Sequence, residues 1–200
     1  MTTRHDLRRD RTRSQLQDAM LELVLARGYD AIVVQEIADM ADVGRGTFYF
    51  HFDHKEALLW SIVEDRFPIR NHAAAEVFDS VMPEQAEYFH YVNRFRQFEK
   101  NKAVFLAILG RRASQAVASR AHQVLVEEAI REMEIFQLYR DLNQPAEITA
   151  QIVVGLTVRL AVWWLENNKP YTAMQMSVLL YQTLHHREPP AGVWEEGGPR

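Results

Sequence analysis

Apolar side chains recur every three or four residues along nearly all of this 200-residue chain, and no stretch alternates over the length of a strand. That period restricts the chain to helices whose apolar stripes pack on one another, an all-α fold. Residues 10–27 set Leu16, Ala19, Met20, Leu23 and Val24 on one face, and Gly28 in "RGYD" supplies a left-handed C-cap. "VVQEIADMADV" carries Val34, Ile37, Ala38 and Ala41 on one side, and residues 44–50 span about two turns. "DHKEALLWSIVEDRF" repeats the stripe through Leu58, Leu59, Ile62, Val63 and Phe67. The predicted order is a long helix, two short helices joined by the tight "ADVG" turn, and another long helix. Two short helices with such a turn are a helix-turn-helix signature.

The remainder is helical too. Pro83 opens a segment with Tyr88, Tyr91, Val92, Phe95 and Phe98, and "KAVFLAILG" is a short apolar piece closed by Gly110. Residues 114–142 form a long helix, broken by Asn143-Gln144-Pro145. "AEITAQIVVGLTVRLAVWWLE", residues 146–166, is apolar nearly all round, so it is buried on several sides. Its second face meets either a partner subunit or the chain's own core. Thr172-x-x-Gln175 is a capping box that starts the last helix, which carries Met176, Leu179, Leu180 and Leu184. The predicted domains are residues 1–65, residues 66–188, and a loose Pro- and Gly-rich tail at 189–200.

Charges interrupt the apolar stretches before about 18 residues, so no membrane span is expected. The basic N-terminus has no apolar region behind it and does not read as a secretory signal. Cysteine is absent, which removes disulfides and thiolate sites and fits a reducing, cytoplasmic setting. The net charge is −4, unevenly spread. Residues 1–14 hold five arginines against two aspartates, while residues 15–62 hold three cations against eight acids. Any binding to nucleic acid therefore rests on a few placed cations and the arm.

"VGRGTFYFHF", residues 43–52, contains those placed groups. DNA is read by short helices whose N-terminal ends enter the major groove. Gly44 and Gly46 permit close approach. Arg45 reaches a guanine edge with two hydrogen bonds, and Thr47 meets a phosphate or a thymine methyl. Tyr49 and His51 present polar tips suited to phosphate oxygens, and Lys55 opens the next helix as part of an anion site. Phe48 and Phe52, four apart, face inward. Phe50 touches a sugar or methyl group, or nothing. The competing reading is a small aromatic core with an ordinary turn, and the two short helices weigh against it. The arm, with Arg8, Arg9 and Arg11 flanked by Arg4 and Arg13, either solvates a disordered terminus or lies along phosphates or in a minor groove; the acidic remainder favours phosphates.

Residues 11–59, "RTRSQLQDAMLELVLARGYDAIVVQEIADMADVGRGTFYFHFDHKEALL", resemble the N-terminal domain of the TetR/AcrR family of bacterial transcriptional regulators, over about a quarter of the chain. The resemblance implies a homodimer with two homeodomain-like helix-turn-helix heads and helical C-terminal bodies that bind ligand and dimerise. Arg45, Gly46, Thr47, Tyr49 and His51 match the DNA-facing stretch, Lys55 the phosphate-contacting lysine, and Gln35 lies near the start of the supporting helix. Val33 replaces the usual Thr or Ser cap of the second helix, a loss of about 1 kcal/mol that Asp30 or water would offset. Gly44 replaces the usual serine cap of the recognition helix, a milder change.

"GLTVRLAVWWLENNKPYT" looks like the family's ending, which implies a four-helix dimer interface involving Val153, Leu156, Leu160, Trp163, Trp164, Met176, Leu179, Leu180 and Leu184. The family also implies an effector pocket among the central helices. Tyr91, Phe95, Phe98, Phe105, His122, Phe136 and Arg159 are its candidates, although most such rings are core residues. Arg159 either faces an anionic ligand or pairs with an acid. Catalysis is not expected: Ser114, Ser119 and His122 lack an elbow and an oxyanion hole, and His185 and His186 lack a third metal ligand. No metal or cofactor is expected. The partners expected are a palindromic DNA operator, a second copy of the chain and a small-molecule effector, with repression as the mode. Rivals are a regulator without an effector (an activator or one working through a protein), and a helical adaptor or enzyme with a vestigial head.

Overall fold

The computed structural model describes residues 4–66, 83–136, 138–139 and 143–189, with side chains at 6–66, 88–135, 138–139 and 143–189. Among the described residues every regular element is an α-helix: α1 (Arg4–Arg27), α2 (Val34–Met40), α3 (Arg45–His51), α4 (Lys55–Arg66), α5 (Pro83–Lys100), α6 (Lys102–Leu109), α7 (Gln115–Phe136), α8 (Ala146–Glu166) and α9 (Ala173–His185). Phe67, Leu142 and residues 190–200 of the expected tail lie outside the described residues. Two compact units result, one of residues 1–68 and 103–119, the other of residues 69–102 and 120–200. Nearly all of α6 and the start of α7 thus group with the N-terminal helices, whereas the sequence reading put a single boundary at residue 65.

In the N-terminal unit α1 packs on α2 and α4, and α2 packs on α3. Leu16, Met20 and Val24 of α1, Ile37 and Ala38 of α2, and Leu58, Leu59 and Ile62 of α4 are fully buried. A polar seam runs beside this core. Gln17, buried, donates to Ser61 Oγ at 3.1 Å and to Asp65 Oδ2 at 2.7 Å. Arg13 reaches the same Asp65 oxygen through Nε at 3.1 Å and Nη2 at 3.0 Å, and Arg66 pairs with Asp18 at 2.7 Å. Burial opposes ionisation of Asp65, but the bonds from Gln17 and Arg13 outweigh it and hold the carboxyl below its ordinary range.

The first helix begins at Arg4 rather than near residue 10, so the basic arm forms the opening turns of α1. Arginine and leucine are good helix formers, and Asp6 sits in the first turn, where a carboxylate complements the helix dipole. At the other end Gly28 adopts φ +87° and its N–H bonds Val24 O at 2.8 Å. Arg112 Nη1 caps the last carbonyls of α1, Ala26 O at 2.6 Å among them. The turn after α2 is a Schellman arrangement: Val43 N–H bonds Ala38 O at 3.0 Å and Asp42 N–H bonds Asp39 O at 3.1 Å, with Asp42 left-handed at φ +53°.

In the C-terminal unit α9 packs along α5, and α8 also touches α5. The Thr172–Gln175 capping box is formed in both directions, at 3.2 and 2.8 Å. Helix α8 is, by length and composition, apolar enough to cross a membrane even with Arg159 in it; half of that stretch is buried inside the protein. Its buried face holds Ala150, Val153, Val154, Thr157, Ala161, Trp164 and Leu165. Its other face exposes Ile148, Ile152, Arg159 and Trp163, and Leu179 of α9 is exposed as well. Val153, Trp164, Met176, Leu180 and Leu184, expected at a dimer interface, lie in the protomer's core; Leu156 and Leu160 are half-buried.

A side chain at residue 28 would sit at a left-handed φ with its Cβ 3.1 Å from Arg112 O. Gly28→Ala is therefore expected to lower stability by about 1–2 kcal/mol, read as a shift of the urea midpoint at unchanged slope.

Candidate nucleic-acid interface and ligand cavity

Seven residues make barely two turns, so α3 is held by what it buries. Phe48 is fully buried and Phe52 nearly so, and their ring centroids lie 6.1 Å apart. That anchor turns the opposite side outward. Gly44, Arg45, Gly46, Tyr49 and Phe50 are exposed, and Thr47 and His51 are half-buried. Phe50, at 67% exposure, is the most exposed large apolar side chain among the described residues. Gly44 O accepts the first two intrahelical bonds, from Thr47 N at 2.8 Å and Phe48 N at 3.2 Å, so the glycine cap works through its backbone alone. A Cβ at Gly46 would meet nothing within 4 Å, so the chain's own packing gives no reason for glycine there.

The cations are arranged differently from one another. Arg45 folds back on its own helix, with its guanidinium carbon 5.5 Å from the Tyr49 ring centroid and Nη2 3.4 Å from the Tyr49 hydroxyl, and stays exposed. Arg8, Arg9 and Arg11 are exposed on α1, and Arg9 lies 6.0 Å from the Phe50 ring centroid. Arg13 is committed to Asp65 and covers the Phe52 ring at 5.3 Å. Burial and then the positive charges of Arg9 and Arg13 push the His51 imidazole below its ordinary pKa, so it is neutral at pH 7. Lys55 donates to Tyr29 O at 3.0 Å and Ile32 O at 2.8 Å, and lies over the Tyr29 ring at 4.4 Å. Two of the three donors of this ammonium thus hold the loop before α2. Gln35, exposed, donates to Asp39 within α2.

Val33 has no acceptor with which to cap α2. The compensation comes from Glu36, not from Asp30: its carboxylate accepts the Val33 N–H at 3.0 Å and pairs with Arg27 at 2.8 Å. The bond from Val33 first, and Arg27 second, lower the Glu36 pKa. This is the return half of a capping box without its forward half.

In the C-terminal unit a cavity of about 40 Å³ lies between α5, α7 and α8. Tyr91 and Phe98, two of the candidates for an effector pocket, line it together with His90, Arg94, Glu132, Thr157 and Tyr139. The other candidates are elsewhere. Phe95 packs edge-on to Trp164 at 5.7 Å, Phe105 belongs to the N-terminal unit, and His122 bonds Gln151 at 3.2 Å. The Arg159 side chain is exposed, and that of Phe136 lies outside the described residues. Sequence reading missed Arg94 and Glu132, which form a buried ion pair at 2.6 Å, with His90 Nε2 3.6 Å from the second Glu132 oxygen. A wider cleft of about 460 Å³ shares Tyr139 as a wall. Ser114 Oγ caps α7 by accepting from Val117 N, and among the described residues no cluster has metal-ligand character.

Comparison with known proteins locates these features. The family model described as bacterial regulatory proteins, tetR family, matches residues 16–62. The chain is 24% identical to the HTH-type transcriptional regulator YxbF of Bacillus subtilis over 83% of its length, and spans 42% of that relative. It is 27% identical to the HTH-type transcriptional activator FasR of Mycolicibacterium smegmatis, covering 82% of this chain and 77% of FasR. Among solved structures, NalD of Pseudomonas aeruginosa, secondary repressor of the MexAB-OprM multidrug efflux pump, superposes with TM-score 0.73 over 92% of this chain and 99% of NalD at 18% identity. The transcriptional regulator FadR of Bacillus subtilis in complex with stearoyl-CoA gives 0.64 over 86% and 96%, at 16% identity.

Lys55→Met is expected to destabilise the N-terminal unit by about 1.5–3 kcal/mol in urea unfolding, because it leaves two carbonyls without their charged donor. An unchanged midpoint would show that the ammonium contributes nothing to the fold.

Proposed function

We propose that this chain, whose residues 16–62 match the tetR family model, is a TetR-family regulator: a sequence-specific DNA-binding protein, a cytoplasmic repressor released from a palindromic operator by a small molecule. The observation that carries the reading is the division of α3: Phe48 and Phe52 are buried, while Arg45, Gly46, Tyr49 and Phe50 face outward. Arg45 unfolds from Tyr49 to reach a guanine edge. Gly46, free of any packing demand, lets the helix approach the groove. Thr47, Tyr49 and His51 bond phosphates, with Gly44 and the N-terminal end of α3 beside them. Arg8, Arg9 and Arg11 run along the backbone from the first turns of α1, and the remaining donor of Lys55 meets a phosphate. Gln35 stands at the start of the supporting helix. The unit carries no catalytic role in this reading.

The exposed face of α8 with Leu179 is the proposed dimer surface. Ile148, Ile152 and Trp163 are apolar side chains that a monomer leaves in water, and Leu156 and Leu160 flank them. A two-fold axis through that face gives two recognition helices for two half-sites. A solved neighbour holds stearoyl-CoA, which supports ligand control of this fold. One observation favours the rival without an effector: the inner cavity is only about 40 Å³, far below the roughly 300–1,000 Å³ of drug-sized sites.

Two substitutions separate base reading from backbone contact. Arg45→Ala is expected to cost about 1–3 kcal/mol of discrimination between operator and random DNA. The double change of Arg8 and Arg9 to Ala leaves discrimination intact and makes the log–log salt dependence shallower by about 2. Undiminished selectivity in the first variant removes Arg45 from the base-reading role.

A further inference from the structure

Phe50 is a wholly apolar ring on an outward face shared with Arg45, Gly46 and Tyr49, and it is 67% exposed. The fold of α3 does not ask for it there, since Phe48 and Phe52 are the buried anchors. At 3.6 residues per turn, the direction opposite Phe48 falls between Gly46 and Phe50. Arg45 and Tyr49 flank that direction on one side, Thr47 and His51 on the other. The centre of the outward face is thus one glycine and one phenylalanine, a turn apart. Nothing lies within 4 Å of where a Cβ on Gly46 would stand. Helical side chains lean toward the N-terminus, so position 50 overhangs the turn that holds Gly46. The two residues make a notch, a bare backbone turn beside an aromatic side chain.

The chemistry of the notch restricts what fills it. Phenylalanine has no donor or acceptor, so it neither bonds a phosphate oxygen nor reads a hydrogen-bonding base edge. Among the groups that base pairs present in the major groove, one is apolar, the C5-methyl of thymine. The surroundings favour a base over a protein partner. A protein would need a contiguous apolar patch, and the groups around Phe50 are Gly46, His51 and Arg9. The guanidinium carbon of Arg9 lies 6.0 Å from the Phe50 ring centroid. Arg9 stands there because α1 begins at Arg4: residues 9 and 13, four apart on one helix, then meet the rings of Phe50 and Phe52. A cation beside the ring suits the phosphate next to a base.

We propose that Phe50 is a specificity-determining residue that seats the C5-methyl group of one thymine per half-site in the notch beside Gly46, while Arg9 bonds the adjacent phosphate. The proposal rests on the reading of α3 as the helix that enters the major groove, and it names a base that this helix selects. Deoxyuridine tests it, because it lacks only the methyl and keeps the pairing and the O4 acceptor. Each thymine of the selected palindromic consensus is replaced in turn by deoxyuridine, in both half-sites together, and the affinity of the full chain is measured at 150 mM salt. At one position the loss is expected to be about tenfold, the worth of two buried methyl groups. Phe50→Ala binds thymine and uracil alike at that position, and responds to uracil elsewhere as the parent does. Phe50→Leu, which keeps an apolar side chain, retains the preference for thymine. Because Phe50 is exposed, Phe50→Ala is expected to keep the parent's melting temperature, so a lost preference reports the contact and not the fold. A parent indifferent to uracil at every thymine overturns the proposal, as does a methyl preference that Phe50→Ala leaves intact throughout; either result leaves α3 standing as a reader of sequence. Failure to select any consensus overturns the proposal and that reading together.

Discussion

A seven-residue helix cannot support itself in water, because the cost of its first turn is not recovered by so few bonds. Both α2 and α3 have seven residues, so their existence depends on side chains buried against the long helices. Ile37 and Ala38 do this for α2, and Phe48 with Phe52 for α3. The same burial that makes α3 a helix also sets its rotation, and the rotation decides that Arg45, Gly46, Tyr49 and Phe50 face out. The stabilising contact and the orientation proposed for DNA reading are one constraint. On the proposed function, substitutions that merely loosen the aromatic anchor would disturb DNA reading without touching an outward residue.

Around that anchor the N-terminal unit is tied by polar bonds that apolar periodicity does not encode. Gln17, Ser61, Asp65 and Arg13 join α1 to α4 through a seam buried at Gln17 and Ser61 and open to solvent at Asp65, and removing Ser61 or Gln17 would leave a buried group unmet. Lys55 bonds the carbonyls of residues 29 and 32, so a cation expected to serve the ligand also shapes the loop. Arg13 is likewise structural, while Arg8, Arg9 and Arg11 remain exposed. The basic N-terminus is therefore two populations of arginine on one helix.

Local signals in the sequence carried far. The glycine stop after α1, the Pro145 opening of α8 and the Thr172 capping box each depend on a few adjacent residues, and each stands where the sequence placed it. The inward turn of Phe48 and Phe52 followed from their spacing. Three things were not legible. The start of α1 was hidden because a charge run reads as a solvated tail, although its residues favour helix. The buried face of α8 had no phase in a sequence apolar all round, so Val153 and Trp164 could not be told from Ile152 and Trp163. The cavity depends on tertiary pairing: Arg94 and Glu132 are 38 residues apart, and nothing local marks them as partners.

We propose that α3, presented twice by a dimer, reads DNA sequence. Selection of bound fragments from a random DNA pool by the purified full chain, at 150 mM salt, tests it most directly. The account predicts enrichment of a palindromic consensus whose half-sites are spaced by about one helical turn or a multiple of it, some 10–10.5 base pairs per turn. Retention of DNA with no consensus, or of none, would contradict it.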